Sequence, residues 1–192
     1  LIFYNNMKNV ILFIFCFLWS CNNINTNIYD DSIDDYETYT IKKGNHSSGN
    51  HLMLKLTKKI EFFAIFTESC VYNLNSKDQS DTNKLFGISD SYSHSEDSAR
   101  FGWRYFNDRL EILSYVRKRG VFYYETIGFV EPNEIVYYSL EILNDRYKFT
   151  LRDKIYFVER TSDYNGIRYG LFPYFGGNNV APHNIEIKIK LL

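Results

Sequence analysis

Charged and phenolic side chains recur around residues 107 and 108: Arg100 and Arg104 precede them, and Glu111 and Tyr115 follow. Guanidinium and carboxylate groups can bond the hydroxyls of a sugar, and an aromatic ring offers a flat face for its apolar side. The set therefore has the chemistry of glycan recognition. Tyr174, Asn178 and His183, from the stretch Leu171 to His183, carry compatible groups close to the end of the chain.

The same residues are open to other chemistry. Arg104 and Glu111 also read as a cross-strand ion pair on a solvated sheet. A polysaccharide lyase needs a base, such as Tyr174 or His183, and a cation, such as Arg100, to stabilise the anion derived from the carboxylate. Retaining hydrolysis needs two carboxyl groups about 5 Å apart, and the chain has no E-x-D-x-E-like strand to place them. G-x-S-x-G, H-E-x-x-H, a P-loop and a Cys–His nucleophile signature are absent. Asp90, Asn178 and nearby carbonyls offer the several oxygen ligands that a calcium ion wants, a lesser alternative. His94 and His183 have no further metal ligands at a recognised spacing. The expectation is a noncatalytic surface with no cofactor and no metal.

Strands must position these residues. No segment in the body of the chain holds a helical period over three turns, whereas period-two alternation recurs. Ile185, Ile187, Ile189 and Leu191 share one face, Leu52, Leu54 and Leu56 repeat the pattern, and Ile60 to Thr67 is more fully apolar. Asn107-Asp108 suits a two-residue turn, because both residues tolerate positive φ. That turn pairs Phe106 with Arg109, Arg104 with Glu111, and Gly102 with Leu113. Phe101, Trp103, Tyr105, Leu110 and Ile112 then face a core, and Arg100, Arg104, Glu111 and Tyr115 face away from it. Asn144-Asp145 sets Glu141 opposite Lys148, Leu140 opposite Phe149, and Ile142 opposite Tyr147. Arg119-Gly120 and Arg152-Asp153 mark further turns, so residues 99–158 are expected to form one antiparallel meander. Many short strands at this spacing predict an all-β, antiparallel β-sandwich of jelly-roll or lectin-like form, with a single domain over residues 38–192.

Composition agrees. Seventeen Tyr and sixteen Phe in 192 residues favour pleated, half-buried surfaces. A formal net charge of -1 with interspersed signs gives no field for nucleic acid. Met7-Lys8 and the apolar run Val10 to Leu18 have the form of a secretory signal, too short to span a bilayer. Leu18-Trp19-Ser20-Cys21 resembles the bacterial lipobox, which implies cleavage before Cys21, lipidation of that residue, and a membrane contact made through lipid alone. Residues 1–21 are thus expected to be a lipoprotein signal peptide, and the polar residues 22–37 a flexible tether. With Cys16 removed and Cys21 acylated, Cys70 has no intrachain partner and reads as a small buried apolar residue.

Three stretches stand out from the scaffold: Asn83-Lys-Leu-Phe-Gly-Ile-Ser-Asp90, Ser98-Ala-Arg-Phe-Gly-Trp-Arg104, and Leu171-Phe-Pro-Tyr-Phe-Gly-Gly-Asn-Asn-Val-Ala-Pro-His183. On these motifs the chain resembles a family of uncharacterised lipoproteins of Bacteroidota-type bacteria over residues 38–190. Asn184 stands where the family pattern leads one to expect Asp. The alternation alone is also similar to laminin-G and concanavalin-type sandwiches. The resemblance implies a fold and a place in the cell envelope, at the outer membrane, but no activity. The resulting expectation is a lipid-anchored envelope protein that binds a glycan or polysaccharide, or mediates adhesion. Two alternatives are a lyase or hydrolase on the same fold, and an assembly subunit docking a surface protein through an exposed sheet edge.

Overall fold

The computed structural model describes residues 35–55 and 57–192. The expected leader with Cys16 and Cys21, most of the expected tether, and Leu56 lie outside the described residues. Twelve strands follow in chain order: β1 (Glu37–Ile41), β2 (Leu54–Lys55), β3 (Lys59–Phe66), β4 (Asn83–Ser89), β5 (Ser98–Phe106), β6 (Arg109–Lys118), β7 (Val121–Val130), β8 (Val136–Ile142), β9 (Arg146–Leu151), β10 (Lys154–Glu159), β11 (Arg168–Leu171) and β12 (Ile185–Leu191). They form two six-stranded antiparallel sheets, ordered β1-β12-β3-β8-β9-β10 and β2-β11-β4-β5-β6-β7. Two 3-10 turns, Glu68–Cys70 and Lys77–Ser80, lie between β3 and β4.

The turn chemistry sets the hairpins as expected. Asn107 and Asp108 adopt φ of 50° and 56°, and β5 pairs with β6 through Phe106–Arg109, Arg104–Glu111 and Gly102–Leu113. Arg119 and Gly120 likewise take positive φ and place Val121 opposite Lys118. The β8–β9 hairpin has the expected register, with Glu141 opposite Lys148 and Leu140 opposite Phe149. Its Asn144-Asp145 loop reaches that register without positive φ, and the Leu143 N–H instead donates to the Arg146 carbonyl at 2.9 Å.

Two expectations are corrected. Residues 99–158 are two three-stranded meanders, β5-β6-β7 in one sheet and β8-β9-β10 in the other. Residues 131–135 carry the chain across, through Pro132 and through Asn133 at φ 64°. There the Asn133 N–H donates to the Phe66 carbonyl of β3 at 2.7 Å. Of the expected Leu52, Leu54, Leu56 alternation, the described residues yield only the two-residue β2, with Leu52 and Leu54 exposed, because β2 sits at the rim of its sheet beyond the core.

Aromatic rings tie the two sheets together. Phe62 of β3 stacks on Tyr138 of β8 at 5.1 Å and meets Phe86 of β4 edge-on at 5.2 Å. Phe101 of β5 contacts Tyr138 and Phe149 at 5.0 and 5.1 Å. Each such pair contributes about 0.5–1.5 kcal/mol beyond its buried area. Trp103 faces this core, as alternation requires, and Cys70 is buried and in no disulfide among the described residues. Strand β5 departs from simple alternation, since every residue from Ser98 to Trp103 is buried. Its outer face is therefore covered, and the cover forms the wall of a cleft.

Candidate functional site

Alternation along β5 and β6 places Arg100 and Tyr115 directly opposite each other on the outer face. The guanidinium carbon of Arg100 lies 5.7 Å from the centre of the Tyr115 ring. On the other side of β5, strand β4 contains a bulge: Lys84 pairs with Gly102, and Gly87 pairs with Arg100. The extra residue lets Leu85 and Phe86 both enter the core, and returns Gly87 to the face that carries Lys84. A Cβ at Gly87 would lie 2.1 Å from the Arg100 Cβ, so the close approach of the two strands beside Arg100 requires glycine.

The segment after β11 closes the wall. Tyr174 exchanges backbone hydrogen bonds with Lys84, at 2.8 and 3.0 Å, and its ring stacks on His46 at 5.2 Å. The Gly176 N–H donates to the Asn83 side-chain oxygen, while the Asn83 amide nitrogen donates to the Tyr72 hydroxyl. Lys84 Nζ donates to the carbonyls of Thr82 and Gly176 at 2.8 and 3.0 Å, and it sits 5.1 Å from the Tyr115 ring centre. The three sequence motifs thus converge, on β4, on its neighbour β5, and on β11 with the loop that follows it.

The result is an open cleft of about 490 Å3, whose lining includes Lys84, Arg100, Arg117, Tyr115, Phe122 and Tyr124. Phe122 and Tyr124 come from β7, opposite Arg117 and Tyr115. Tyr115 and Phe122 are near-parallel, with centroids 6.1 Å apart and planes 6° apart. Phe122 and Tyr124 repeat this at 6.2 Å and 9°. Phe122 and Tyr124 are 54% and 49% exposed, so aromatic surface is open to a ligand.

The electrostatics of the cleft are one-sided. Among the described residues, Lys84, Arg100 and Arg117 line it, against one carboxylate, Asp81. Burial, then Arg100 and Arg117, push the Lys84 ammonium down to about 8, with Asp81 opposing. Burial, and secondarily Arg117, push Arg100 down to about 10, so it remains a cation at neutral pH. Burial and the same two arginines hold His94 below its ordinary value. Its Nδ1 lies 3.0 Å from the Tyr169 hydroxyl.

Of the residues expected to bind ligand, Arg100, Tyr115 and Tyr174 line the cleft. Arg104 and Glu111 share their face but are turned to scaffold duty. Arg104 Nε donates to Glu111 at 2.7 Å, and its Nη1 to the Ser80 carbonyl at 2.8 Å. Asn178 is exposed beyond the lining, with its backbone N–H on Asp81. His183 is away from the lining, with Nε2 2.8 Å from the Ser69 carbonyl. Asp90 is buried and accepts from Tyr147, Arg160 and Arg168, which leaves its oxygens no room for a metal ion. Among the described residues, no group of three or more His, Cys, Asp or Glu side chains could hold a metal ion. Sequence reasoning missed Lys84, Arg117, Phe122 and Tyr124. The Arg119-Gly120 turn carried the signal for the last three, since its register puts Arg117, Phe122 and Tyr124 on the face of Tyr115. The β4 bulge left no such signal for Lys84.

No family model matches the chain, and no curated protein matches it by sequence. Among solved structures, the fold is similar to the alginate lyase AlyC3, at 11% identity and TM-score 0.55, over 84% of this chain and 75% of that one. A glycoside hydrolase family 16 endo-glucanase from Bacteroides ovatus aligns at 12% identity and TM-score 0.51, over 82% and 80%. A pseudo β-1,3-glucanase and immunostimulatory antigen of Mycobacterium tuberculosis aligns at 11% identity and TM-score 0.50. That alignment covers 72% of this chain, which spans 64% of the other's length, less than two thirds. The fold is a concanavalin-like sandwich of the kind these proteins share, and a shared fold does not carry an activity with it.

Proposed function

We propose that this chain binds carbohydrate, without cleaving it, in the cleft over β4, β5, β6 and β7. The observation that carries the reading is the series of near-parallel rings Tyr115, Phe122 and Tyr124 beside hydrogen-bond donors in one open cleft. Sugar rings present apolar faces to aromatic surfaces and hydroxyls to charged groups, and both are offered here. The cleft volume lies within the ~300–1,000 Å3 typical of ligand sites. Asp81 is the one carboxylate in the lining among the described residues, and it receives the Asn178 N–H. A two-carboxylate hydrolysis therefore lacks its second acid there. The resemblance of Leu18-Trp19-Ser20-Cys21 to a lipobox supports a lipid-anchored place in a bacterial envelope as part of the same proposal.

The test is a glycan array followed by calorimetric titration of the full chain. Phe122→Ala and Tyr124→Ala should each weaken binding by roughly fivefold, the equivalent of about 1 kcal/mol for a lost stacking contact. Both rings are about half exposed but stacked on neighbours, so the stability change should be on the order of 1 kcal/mol. An array with no bound glycan, or variants that bind as tightly as the parent, would reject the reading.

One observation favours a second reading, a polysaccharide lyase: the Tyr174 phenol, His94 and the Arg100 cation line the same cleft. Incubation with uronate polymers would then generate the absorbance of an unsaturated sugar end. A flat trace would dismiss it.

A further inference from the structure

We infer that the cleft is built for an acidic glycan, one bearing a carboxylate or a sulfate ester, whose anionic group sits on Arg100. The inference rests on the carbohydrate reading above and names the ligand class. Its warrant is how the fold treats its buried guanidinium groups. Arg104 is paired with Glu111, and Arg160 and Arg168 are both paired with Asp90. Arg100 is itself buried, at 8% exposure, yet among the described residues it has no ion pair with a carboxylate. Its Nε is buried and without a hydrogen-bond partner. A charged donor left unpaired away from water is unfavourable, so a fold that pairs its other buried arginines and leaves this one open has left it for something else.

The surroundings say what that is. A guanidinium presents a planar fork of donors that matches a carboxylate or a sulfate oxygen pair. Lys84 and Arg117 line the same cleft, and among the described residues Asp81 alone opposes them. Arg117 is itself held open by carbonyl oxygens of Ser95 and Gly120, at 3.1 and 3.0 Å, rather than by a carboxylate. Gly87, opposite Arg100 on β4, puts no side chain across the guanidinium. Three cations gathered in a chain of net charge -1 are a local arrangement that the overall balance conceals. Phe122 and Tyr124 provide the stacking surface for the sugar that carries the charge.

The experiment titrates the full chain at pH 7 with oligogalacturonate, a sulfated galactan oligosaccharide and a neutral β-glucan oligosaccharide of equal length. Arg100→Met is measured in parallel, together with its melting temperature. At least one acidic ligand should bind tenfold or more tighter than the neutral one, and the two acidic arms separate carboxylate from sulfate. Arg100→Met should abolish that preference while the unliganded protein melts no lower than the parent, because an unpaired buried charge has been removed. Should this variant fail to fold, Arg117→Gln carries the same test and should reduce acidic binding selectively. Equal affinity for neutral and acidic ligands, or a preference that survives the substitution, overturns this inference and leaves the carbohydrate reading standing. Binding to none of the three also overturns this inference, and an empty glycan array is what would overturn the carbohydrate reading with it.

Discussion

At the scale of single residues, Lys84 links the cleft to pH. Its ammonium faces Arg100 from β5, Arg117 from β6, and Asp81 from the segment before β4, beside the Tyr115 and Tyr174 rings. Burial outweighs Asp81 and pushes its pKa down to about 8. The sign follows directly. At pH 7 the group is mostly protonated and attracts an anion; at pH 9 it is mostly neutral. Affinity for an acidic glycan should therefore fall between pH 7 and pH 9, while affinity for a neutral glycan should hold. Lys84→Met should flatten the profile, and titrations at the two pH values check it. An unchanged slope in that variant would remove Lys84 from the account. The sequence disclosed Arg100 and Tyr115 as a pair because they lie across a turn whose geometry is local. It could not disclose Lys84, whose place depends on a bulge in another strand.

Among the elements, the 3-10 turn Lys77–Ser80 decides how the cleft is walled. Gln79 donates to the carbonyls of Tyr72 and Tyr105, at 3.1 and 2.6 Å, and Arg104 donates to that of Ser80. The Arg104–Glu111 pair, mostly buried, is thus a clamp that holds the turn over the outer face of β5. Breaking one side of a buried pair strands the other charge, so Arg104→Ala should cost about 3 kcal/mol. Removing both partners should recover part of that loss. Urea denaturation of Arg104→Ala, Glu111→Ala and the double variant measures the cycle, and an unshifted midpoint for Arg104→Ala would refute the clamp. Ligand affinity should fall only as far as the wall at Asp81 and Thr82 loosens. A flat-sheet reading of Arg104 and Glu111 assumed that their face was open. The covering turn comes from residues more than twenty positions earlier, so nothing in the hairpin's own pattern could reveal it.

For the molecule as a whole, Asp90 joins parts that are distant in sequence. It follows β4, accepts the Tyr147 hydroxyl of β9 from the opposite sheet at 2.8 Å, and receives Arg160 and Arg168. Arg168 opens β11, the strand that leads into the Tyr174 loop. Asp90→Asn would leave two nearly inaccessible guanidinium groups without their carboxylate, a loss of about 3–5 kcal/mol. For a domain of this size that corresponds to a fall in Tm of roughly 10 °C. A melting curve that coincides with the parent's would show that the cluster does not join the sheets.

What the sequence determined by itself was local: strands from alternation, hairpin registers from Asn107-Asp108, Asn144-Asp145, Arg119-Gly120 and Arg152-Asp153, and the sorting of Trp103 and Ile112 to one side and Arg100 and Tyr115 to the other. These follow from a period of two and a few backbone angles, and each is complete within about twenty residues. Strand order was decided by tertiary structure alone. It split one expected meander between two sheets and set β11 beside β4. Arg100 was thereby left buried without a carboxylate among the described residues, while Arg160 and Arg168 shared one. Burial and charge pairing depend on which segments meet across the sandwich, and no periodicity within a segment carries that information.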